Sequence, residues 1–326
     1  MIYGERARQS QCSKTLAKLK PALGVYCHLS VSDPNPVVAV IGLGRMGSAM
    51  ARRFRGAGYE LVLWNRDDSK ARAVAADTGA RTARSAASAA SEAGVVVTSL
   101  ADDSALRAVY LGTEGVAEGI QPGAVAVDTS TVDPGTILEV GAAVDAKGAG
   151  FLDCPVSGSV STVEAGALII MAGGDPDLIA RVEPLLSSIS KRVIPVGKRG
   201  AGAACKLAVN GLVHGLNVAL SEALVMAEKS GVDREIAYEV FASGAGGAPF
   251  VEYKREAYLH PESAAVAFTL DLVAKDLELI TALAAEVGAP MDQAETGLDI
   301  VRRAIESGMG GQDLSAIAVF LRRGEA

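Results

Sequence analysis

A glycine-rich turn directly after a short apolar run is the sequence feature that most restricts the possible fold. The stretch "VVAVIGLGRMGSAMARRFRGAGYELVLWNRD" opens with the apolar run 37–41, as expected of a strand buried on both faces. Gly42, Gly44 and Gly47 follow in the GxGxxG spacing, and a helical pattern covers about 46–56. The apolar segment "ELVLWN" comes next. This order predicts a strand–turn–helix–strand unit of the kind that binds dinucleotides.

Each glycine of the turn has its own predicted role. Gly42 permits the tight turn, Gly44 lets the backbone approach a pyrophosphate, and Gly47 lets the helix pack on the strand. The N-terminus of the helix offers unpaired N–H groups to the phosphates, and Arg45 adds positive charge beside them. We therefore assign the whole loop to cofactor binding: Gly42, Leu43, Gly44, Arg45, Met46 and Gly47.

The end of the second strand bears on which dinucleotide binds. NAD sites usually place an acidic residue there, on the ribose 2′-hydroxyl. This chain has Asn65 followed by Arg66, and Asp67 comes too late in the sequence for that role. An acid would repel a 2′-phosphate, whereas an arginine attracts one. We therefore predict that Asn65 and Arg66 contact the cofactor and that NADP is preferred, with NAD as the alternative.

The order of predicted elements gives the fold class. Strands alternate with helices as far as residue 197, which predicts a doubly wound parallel sheet of the Rossmann type. From residue 200 onward only long helical patterns remain. We therefore predict an N-terminal extension (1–35), a dinucleotide-binding α/β domain (36–199) and an all-α C-terminal domain (200–326) for substrate binding and oligomerisation.

Charge and cysteine content exclude several classes of function. The net charge of −7 argues against nucleic acid or an anionic membrane as the main partner. The four cysteines form no CxxC pair and no cluster with the three histidines, so we predict neither a metal site nor a disulfide framework. Residues 1–35 are basic but lack the apolar core of a secretory signal, although a transit-like segment stays possible. A cytoplasmic location is the expectation.

One helical pattern carries an unusual polar row. Within "GAGAACKLAVNGLVHGLN", Lys206, Asn210, His214 and Asn217 recur at spacings of four, four and three residues. Such spacings place all four side chains on one face of a helix. A row of this kind is usually the solvated side of a helix, so its role depends on what lies opposite.

Four ordered motifs make the chain resemble the β-hydroxyacid dehydrogenases. After the GLGRMG loop come "DTSTVDPG" at 128–135, "DCPVSGSVSTVEAGALIIMAGGD" at 153–175, "GAGAACKLAVN" at 200–210 and "KDLELI" at 275–280. The resemblance covers about 37–323. It implies hydride transfer between a nicotinamide and a short β-hydroxy acid or its semialdehyde, in a homodimer or homotetramer. It also implies that Lys206 is the general acid/base and that Asn210 supports it.

The resemblance extends to further site residues. It implies that the loop Ser157, Gly158 and Ser159 holds the substrate carboxylate, with Ser130, Phe268 and Asp276 also near the substrate. Cofactor contacts are implied for Leu100, Ala101, Thr131 and Lys275.

Three positions depart from the family pattern. Ala101 stands where the family often has proline, Ser159 replaces a glycine, and Thr162 replaces a small residue or proline. Ser159 and the Asn65-Arg66 pair are similar to the glyoxylate/succinic semialdehyde reductase branch.

Three other functions remain as alternatives. An imine reductase of the same architecture is disfavoured because such enzymes usually replace the lysine that Lys206 matches. A non-catalytic cofactor-binding relative would be expected to lose that lysine as well. A 6-phosphogluconate dehydrogenase is disfavoured because it carries a histidine where this chain has Val209.

Overall fold

A computed structural model describes residues 36–324 of the chain. The predicted extension, 1–35, and the last two residues lie outside the described residues. The strands are β1 (Val38–Ile41), β2 (Leu61–Trp64), β3 (Arg81–Thr82), β4 (Val95–Thr98), β5 (Val125–Asp128), β6 (Gly150–Asp153), β7 (Val156–Ser157), β8 (Leu168–Gly173) and β9 (Ser190–Gly197).

Helices fill the connections between the strands and make up the rest of the chain. Those up to residue 197 are α1 (Arg45–Gly56), α2 (Asp68–Thr78), α3 (Ala86–Ser91), α4 (Asp103–Leu111), α5 (Val116–Gly119), α6 (Pro134–Asp145), α7 (Val160–Glu164) and α8 (Pro176–Ser187). Those after it are α9 (Ala201–Lys229), α10 (Arg234–Ser243), α11 (Pro249–Leu259), α12 (Leu270–Val287), α13 (Asp292–Ala304) with a π-helical turn (Ile305–Met309), and α14 (Ala316–Arg323).

The sheet is parallel from β3 to β6 and mixed beyond that point. Its order is β3-β2-β1-β4-β5-β6-β8-β7, and β9 pairs with β8. Strand β8 runs antiparallel to β6 and β7, whereas β9 is parallel to β8. The prediction of a Rossmann-type, doubly wound parallel sheet followed by helices is confirmed, with β8 and β9 running against the other strands. The five-residue helix α7 is too short for a parallel crossover, so the chain turns back as β8.

Both faces of the sheet are buried, as the apolar run 37–41 predicts. Val38 and Val40 belong to the apolar cluster on one face, together with residues of α1 and α8. Ala39 and Ile41 belong to the cluster on the other face. A third cluster fills the helical domain. The strand order reverses between β1 and β4, which opens a crevice at the carboxyl ends of these strands.

Helix α9 passes from the sheet edge through the helical domain, where it packs against α12, α13 and α14. Its 29 residues span about 43 Å at about 1.5 Å per residue. Among the described residues it is the one helix with the length and hydropathy of a membrane span. Asn210, His214, Asn217 and Ser221 are nevertheless buried along it, which is typical of a core helix that packs against other helices.

Candidate active site

The glycine loop has the geometry that its sequence predicts. Gly42 has φ +89°, and a Cβ there would lie 2.3 Å from the carbonyl oxygen of Ser99. A Cβ on Gly47 would lie 2.0 Å from the carbonyl oxygen of Gly42, so only glycine lets α1 approach β1 this closely. A Cβ on Gly44 would meet nothing within 4 Å, so the backbone at the N-terminus of α1 is open. This loop can hold a pyrophosphate.

Asn65 ties the end of β2 to the glycine loop. Leu43 N–H donates to Asn65 Oδ1 (2.9 Å), and Asn65 Nδ2 donates to the carbonyl of Asp67 (2.9 Å). Both ends of the amide are therefore occupied by backbone. Arg66 is exposed, and its guanidinium has no hydrogen bond or ion pair with any other described residue. Asn65 thus shapes the loop, and Arg66 is free to meet a cofactor phosphate.

Ser130 joins the carboxyl ends of β4 and β5. Its Oγ donates to Asp128 Oδ1 (2.7 Å) and accepts from Leu100 N–H (2.9 Å). Thr98 Oγ1 also donates to Asp128 Oδ1 (2.6 Å). Burial raises the pKa of Asp128 to about 6, although these hydrogen bonds oppose the shift. Ser130 therefore shapes the rim of the crevice, where Leu100 is half-buried and Ala101 exposed.

Asp153, at the end of β6, caps the helix that carries the polar row. Its Oδ1 accepts from Gly200 N–H (3.0 Å) and its Oδ2 from Ala203 N–H (2.9 Å). The fit is tight, because a Cβ on Gly202 would lie 2.4 Å from the carbonyl oxygen of Asp153. Burial raises the pKa of Asp153 despite these bonds. The sheet therefore fixes the start of α9 directly.

Lys206 lies on the second turn of α9 and is half-buried. Burial lowers its pKa to about 8; the charge of Lys275 acts in the same direction, and that of Asp276 opposes it. Within the described part of the chain, its Nζ has no hydrogen bond or ion-pair partner. An amine with this pKa can both give and take a proton near neutral pH.

The Asp276 carboxylate lies close to nitrogen atoms of three neighbouring side chains. Asn210 Nδ2 donates to Asp276 Oδ2 (2.6 Å), and Lys275 Nζ lies 2.8 Å from Oδ1. His214 Nε2 lies 3.5 Å from Oδ2. Burial acts to raise the pKa of Asp276, but His214 and Lys275 outweigh it and hold that pKa below its usual range. A charged carboxylate therefore sits at 1% exposure beside Lys206.

Lys275 connects the two domains at the same place. Its Nζ donates to the carbonyl of Thr131 (2.7 Å), at the rim of the crevice. Lys275 and Thr131, both predicted to contact the cofactor, are thus in direct contact with each other.

The loop predicted to hold the substrate carboxylate is shaped by Thr162. Gly158 has φ +139°, and a Cβ there would lie 2.8 Å from Thr162 Cγ2. Ser159 N–H donates to Thr162 Oγ1 (3.1 Å), so this donor is already engaged. Ser157 is half-buried and Gly158 exposed. The departure noted at Thr162 therefore has a structural consequence, because a carboxylate would have to displace its hydroxyl to reach Ser159 N–H.

Phe268 lies in a loop that a buried ion pair anchors. Lys254 Nζ lies 2.8 Å from each carboxylate oxygen of Asp313, and Asp313 Oδ2 accepts from Phe268 N–H (3.3 Å). The Phe268 ring packs at 6.0 Å between centroids from His214. In the same loop, the carbonyl of Val266 accepts a hydrogen bond from Arg45. One loop therefore contacts both the glycine turn and the polar row.

The structure brings most of the predicted residues into two groups. One group surrounds the glycine turn and the strand ends, and the other surrounds Asp276 on α9 and α12. The roles of Asp153 and Asp313 were not predicted, and for His214 the sequence left open whether it reaches the pocket or only supports it. Asp153 contacts residues 47 and 50 positions away, and Asp313 contacts Lys254 59 positions away, which sequence spacing does not reveal.

The open α/β sheet, the glycine turn and the half-buried lysine define an NAD(P)-dependent oxidoreductase. A family model described as the NAD binding domain of 6-phosphogluconate dehydrogenase matches residues 37–197. A second, described as "NAD-binding of NADP-dependent 3-hydroxyisobutyrate dehydrogenase", matches residues 200–321. The chain belongs to the β-hydroxyacid dehydrogenase family, whose members act on CH–OH groups.

Two curated relatives show the extent of the likeness. The chain is 34% identical over 280 residues to glyoxylate/succinic semialdehyde reductase 1 of Arabidopsis thaliana, covering 86% of this chain and 96% of that protein. It is 32% identical over 281 residues to 2-(hydroxymethyl)glutarate dehydrogenase of Eubacterium barkeri, covering 86% and 93%.

Solved structures agree with this assignment. Mycobacterium tuberculosis 3-hydroxyisobutyrate dehydrogenase with L-serine matches with a TM-score of 0.78 and 29% identity, covering 88% of this chain and 99% of that one. An imine reductase from Pseudomonas sp. is more distant, with a TM-score of 0.59 and 22% identity over 87% and 99% of the two chains. That second likeness shows the fold alone.

Proposed function

We propose that this protein interconverts a short semialdehyde and its β-hydroxy acid with NADP, using Lys206 as the general acid/base. The observation that carries the proposal is the state of Lys206. Its amine is half-buried, has no partner among the described residues, and has a pKa of about 8. A structural lysine would be expected to be paired or solvated.

In the proposed mechanism, one proton moves between Lys206 Nζ and the oxygen of the substrate. A bound nicotinamide supplies the hydride for the carbonyl carbon. Lys206 Nζ gives its proton to the carbonyl oxygen, which becomes the hydroxyl, and takes that proton back in the oxidation. Asn210 is held by Asp276 through its Nδ2, and no described group donates to its Oδ1. That oxygen is therefore available to accept a hydrogen bond from the substrate hydroxyl.

The test of this mechanism is Lys206→Ala, with Lys229→Ala as its control. Lys229 is an exposed lysine at the other end of the same helix. We expect Lys206→Ala to lower kcat by ~10²-fold or more while NADPH binding, measured by fluorescence, is retained. Lys229→Ala should behave as wild type. Turnover of Lys206→Ala within threefold of wild type would rule out the lysine mechanism.

The proposed preference for NADP rests on Arg66. The guanidinium is exposed and unpaired within residues 36–324, and no acid stands at the end of β2. We expect Arg66→Gln to weaken NADPH binding by roughly 10- to 150-fold, since one charged hydrogen bond contributes about 1.5–3 kcal/mol. NADH binding should be unchanged. A wild-type preference for NADH would contradict this assignment.

The substrate proposal is limited to short acids. The relatives named above act on glyoxylate, succinic semialdehyde and 2-(hydroxymethyl)glutarate, as their names say. We propose a substrate of this size, with its carboxylate near Ser157 and Gly158. A panel of glyoxylate, succinic semialdehyde, tartronate semialdehyde and 3-hydroxyisobutyrate, each with both cofactors, will identify it. Absence of turnover with every member would refute the substrate class.

Assembly and location are also proposed. Apolar side chains are exposed on α9 and α10, including Leu212 (76%), Met226 (68%) and Val240 (62%). Such side chains support a homodimer or homotetramer with buried helical faces, which light scattering can test. The unpaired Cys154 and Cys205 fit a reducing, cytoplasmic location. The net charge of −7 supports our expectation of no nucleic-acid or membrane partner.

A further inference from the structure

His214 is a buried imidazole on α9 for which the proposed mechanism has no role. It lies two turns beyond Lys206, and 3% of the residue is exposed. Neither of its ring nitrogens has a hydrogen-bond partner within the described residues. A buried polar group without a partner destabilises the fold, so a histidine kept only for packing is disfavoured here.

The neighbouring residue of the same polar row shows the contrast. Asn217 Nδ2 donates to the carbonyl of Leu314 (3.1 Å), and its Oδ1 accepts from Tyr258 (2.6 Å). Asn217 therefore has a satisfied structural role. His214, one turn earlier, faces the Asp276 carboxylate instead, with Nε2 3.5 Å from Oδ2.

We propose that His214 is a positioning residue, which holds the Asp276 carboxylate so that Asn210 and Lys206 are correctly oriented for proton transfer. This inference rests on the proposed function. In its neutral form with hydrogen on Nε2, the imidazole points a donor at Oδ2, the same oxygen that accepts from Asn210. Closing the distance from 3.5 Å to an ordinary hydrogen bond takes a shift of roughly 0.5 Å.

The neighbours of His214 fix its ring in that direction. The ring of Phe268 lies 6.0 Å away between centroids and is tilted by 31°. Lys275 Nζ lies 2.8 Å from Asp276 Oδ1, so both carboxylate oxygens of Asp276 have nitrogen atoms beside them. Without His214, Oδ2 keeps Asn210 as its remaining donor. The carboxylate then has two nitrogen contacts instead of three to oppose its rotation, and the Asn210 amide would move with it.

The test compares two substitutions at His214. His214→Gln keeps an N–H group near the position of Nε2, whereas His214→Leu keeps the volume and removes the donor. We expect His214→Leu to lower kcat at least tenfold, with KM and the NADPH dissociation constant within threefold of wild type. His214→Gln should restore kcat to within threefold. Asn217→Leu is the matched control, which should lower the melting temperature and leave kcat within threefold of wild type.

Crystal structures of both His214 variants give a readout that does not need turnover. In His214→Leu we expect the Asp276–Asn210 hydrogen bond to be lost or the carboxylate to be rotated, and in His214→Gln we expect it to be kept. An unchanged Asp276–Asn210 geometry in His214→Leu would overturn the inference, even if no substrate were found. Equal losses of kcat in the Leu and Gln variants would also overturn it.

The kinetics separate this inference from the proposed function. If wild type is active and Lys206→Ala is not, but His214→Leu keeps kcat within twofold of wild type, the inference alone fails. If Lys206→Ala stays active, the proposed mechanism fails, and the crystal structures still decide whether His214 positions Asp276.

Discussion

The two directions of the reaction should depend on pH in opposite ways, with midpoints set by Lys206. Reduction needs the ammonium form, so its kcat/KM should fall as pH rises through about 8. Oxidation needs the free amine, so its kcat/KM should rise through the same pH. The single group accounts for both curves, because it gives a proton in one direction and takes it in the other.

The magnitude follows from the shift in pKa. Lowering the pKa from 10.5 to about 8 raises the fraction of free amine at pH 7 from ~0.03% to ~10%. The gain is about 300-fold, or about 3.4 kcal/mol at about 1.4 kcal/mol per pH unit. An enzyme with an ordinary lysine at this position would oxidise its substrate slowly at neutral pH.

Two substitutions should move the midpoints in opposite directions. The charge of Asp276 raises the pKa of Lys206, so Asp276→Asn should move both midpoints to lower pH. The charge of Lys275 lowers that pKa, so Lys275→Met should move them to higher pH. We expect shifts of roughly one pH unit.

The assay is the initial rate of NADPH formation or loss at 340 nm, from pH 6 to 10, with saturating cofactor. Circular dichroism at each pH shows whether the fold is intact. Shifts of the same sign in Asp276→Asn and Lys275→Met would refute the electrostatic argument. A wild-type midpoint above pH 10 would show that burial does not lower the pKa of Lys206.

Two further predictions concern the glycine turn and the buried ion pair. Gly47→Ala should lower both the melting temperature and the NADPH affinity, because its Cβ would lie 2.0 Å from the Gly42 carbonyl oxygen. Gly44→Ala should weaken NADPH binding without lowering the melting temperature, because its Cβ would touch no protein atom. Lys254→Met should reduce the free energy of unfolding in urea by about 3–5 kcal/mol, since it leaves Asp313 buried and unpaired. A loss below 1 kcal/mol would contradict that estimate.

Much of the fold could be predicted because the decisive signals are local. The apolar run 37–41 and the following glycines are contiguous, and the helix predicted over about 46–56 matches α1. The direction of β8 was missed, since it depends on how short the connection through α7 is. Helix α14, with eight residues, was also not predicted. Its burial depends mainly on packing against α9, which is remote in sequence.

Less of the candidate site than of the fold could be predicted from the sequence. The polar row on α9 was visible from spacing, but its meaning depends on Asp276, 66 positions beyond Asn210. Sequence spacing could not distinguish the roles of His214 and Asn217. Only their neighbours in the folded chain show that the polar atoms of Asn217 have hydrogen-bond partners and that the ring nitrogens of His214 have none among the described residues. The hydrogen bond from Ser159 N–H to Thr162 Oγ1 is a local contact. In the sequence, only the unusual threonine at position 162 pointed to it.

The cap that Asp153 places on α9 has a consequence for motion. The carboxylate holds the N–H groups of Gly200 and Ala203, both at the start of the helical domain, so the junction after residue 199 is tied to the end of β6. Lys206 follows within one turn, so we expect it to move together with the sheet that carries the glycine loop. An opening that keeps this cap would separate α12 from the sheet and break the bond between Lys275 and Thr131, together with the contact between Arg45 and Val266. Lys206, the proposed proton donor, would keep its position relative to the cofactor-binding domain while α12 moved away.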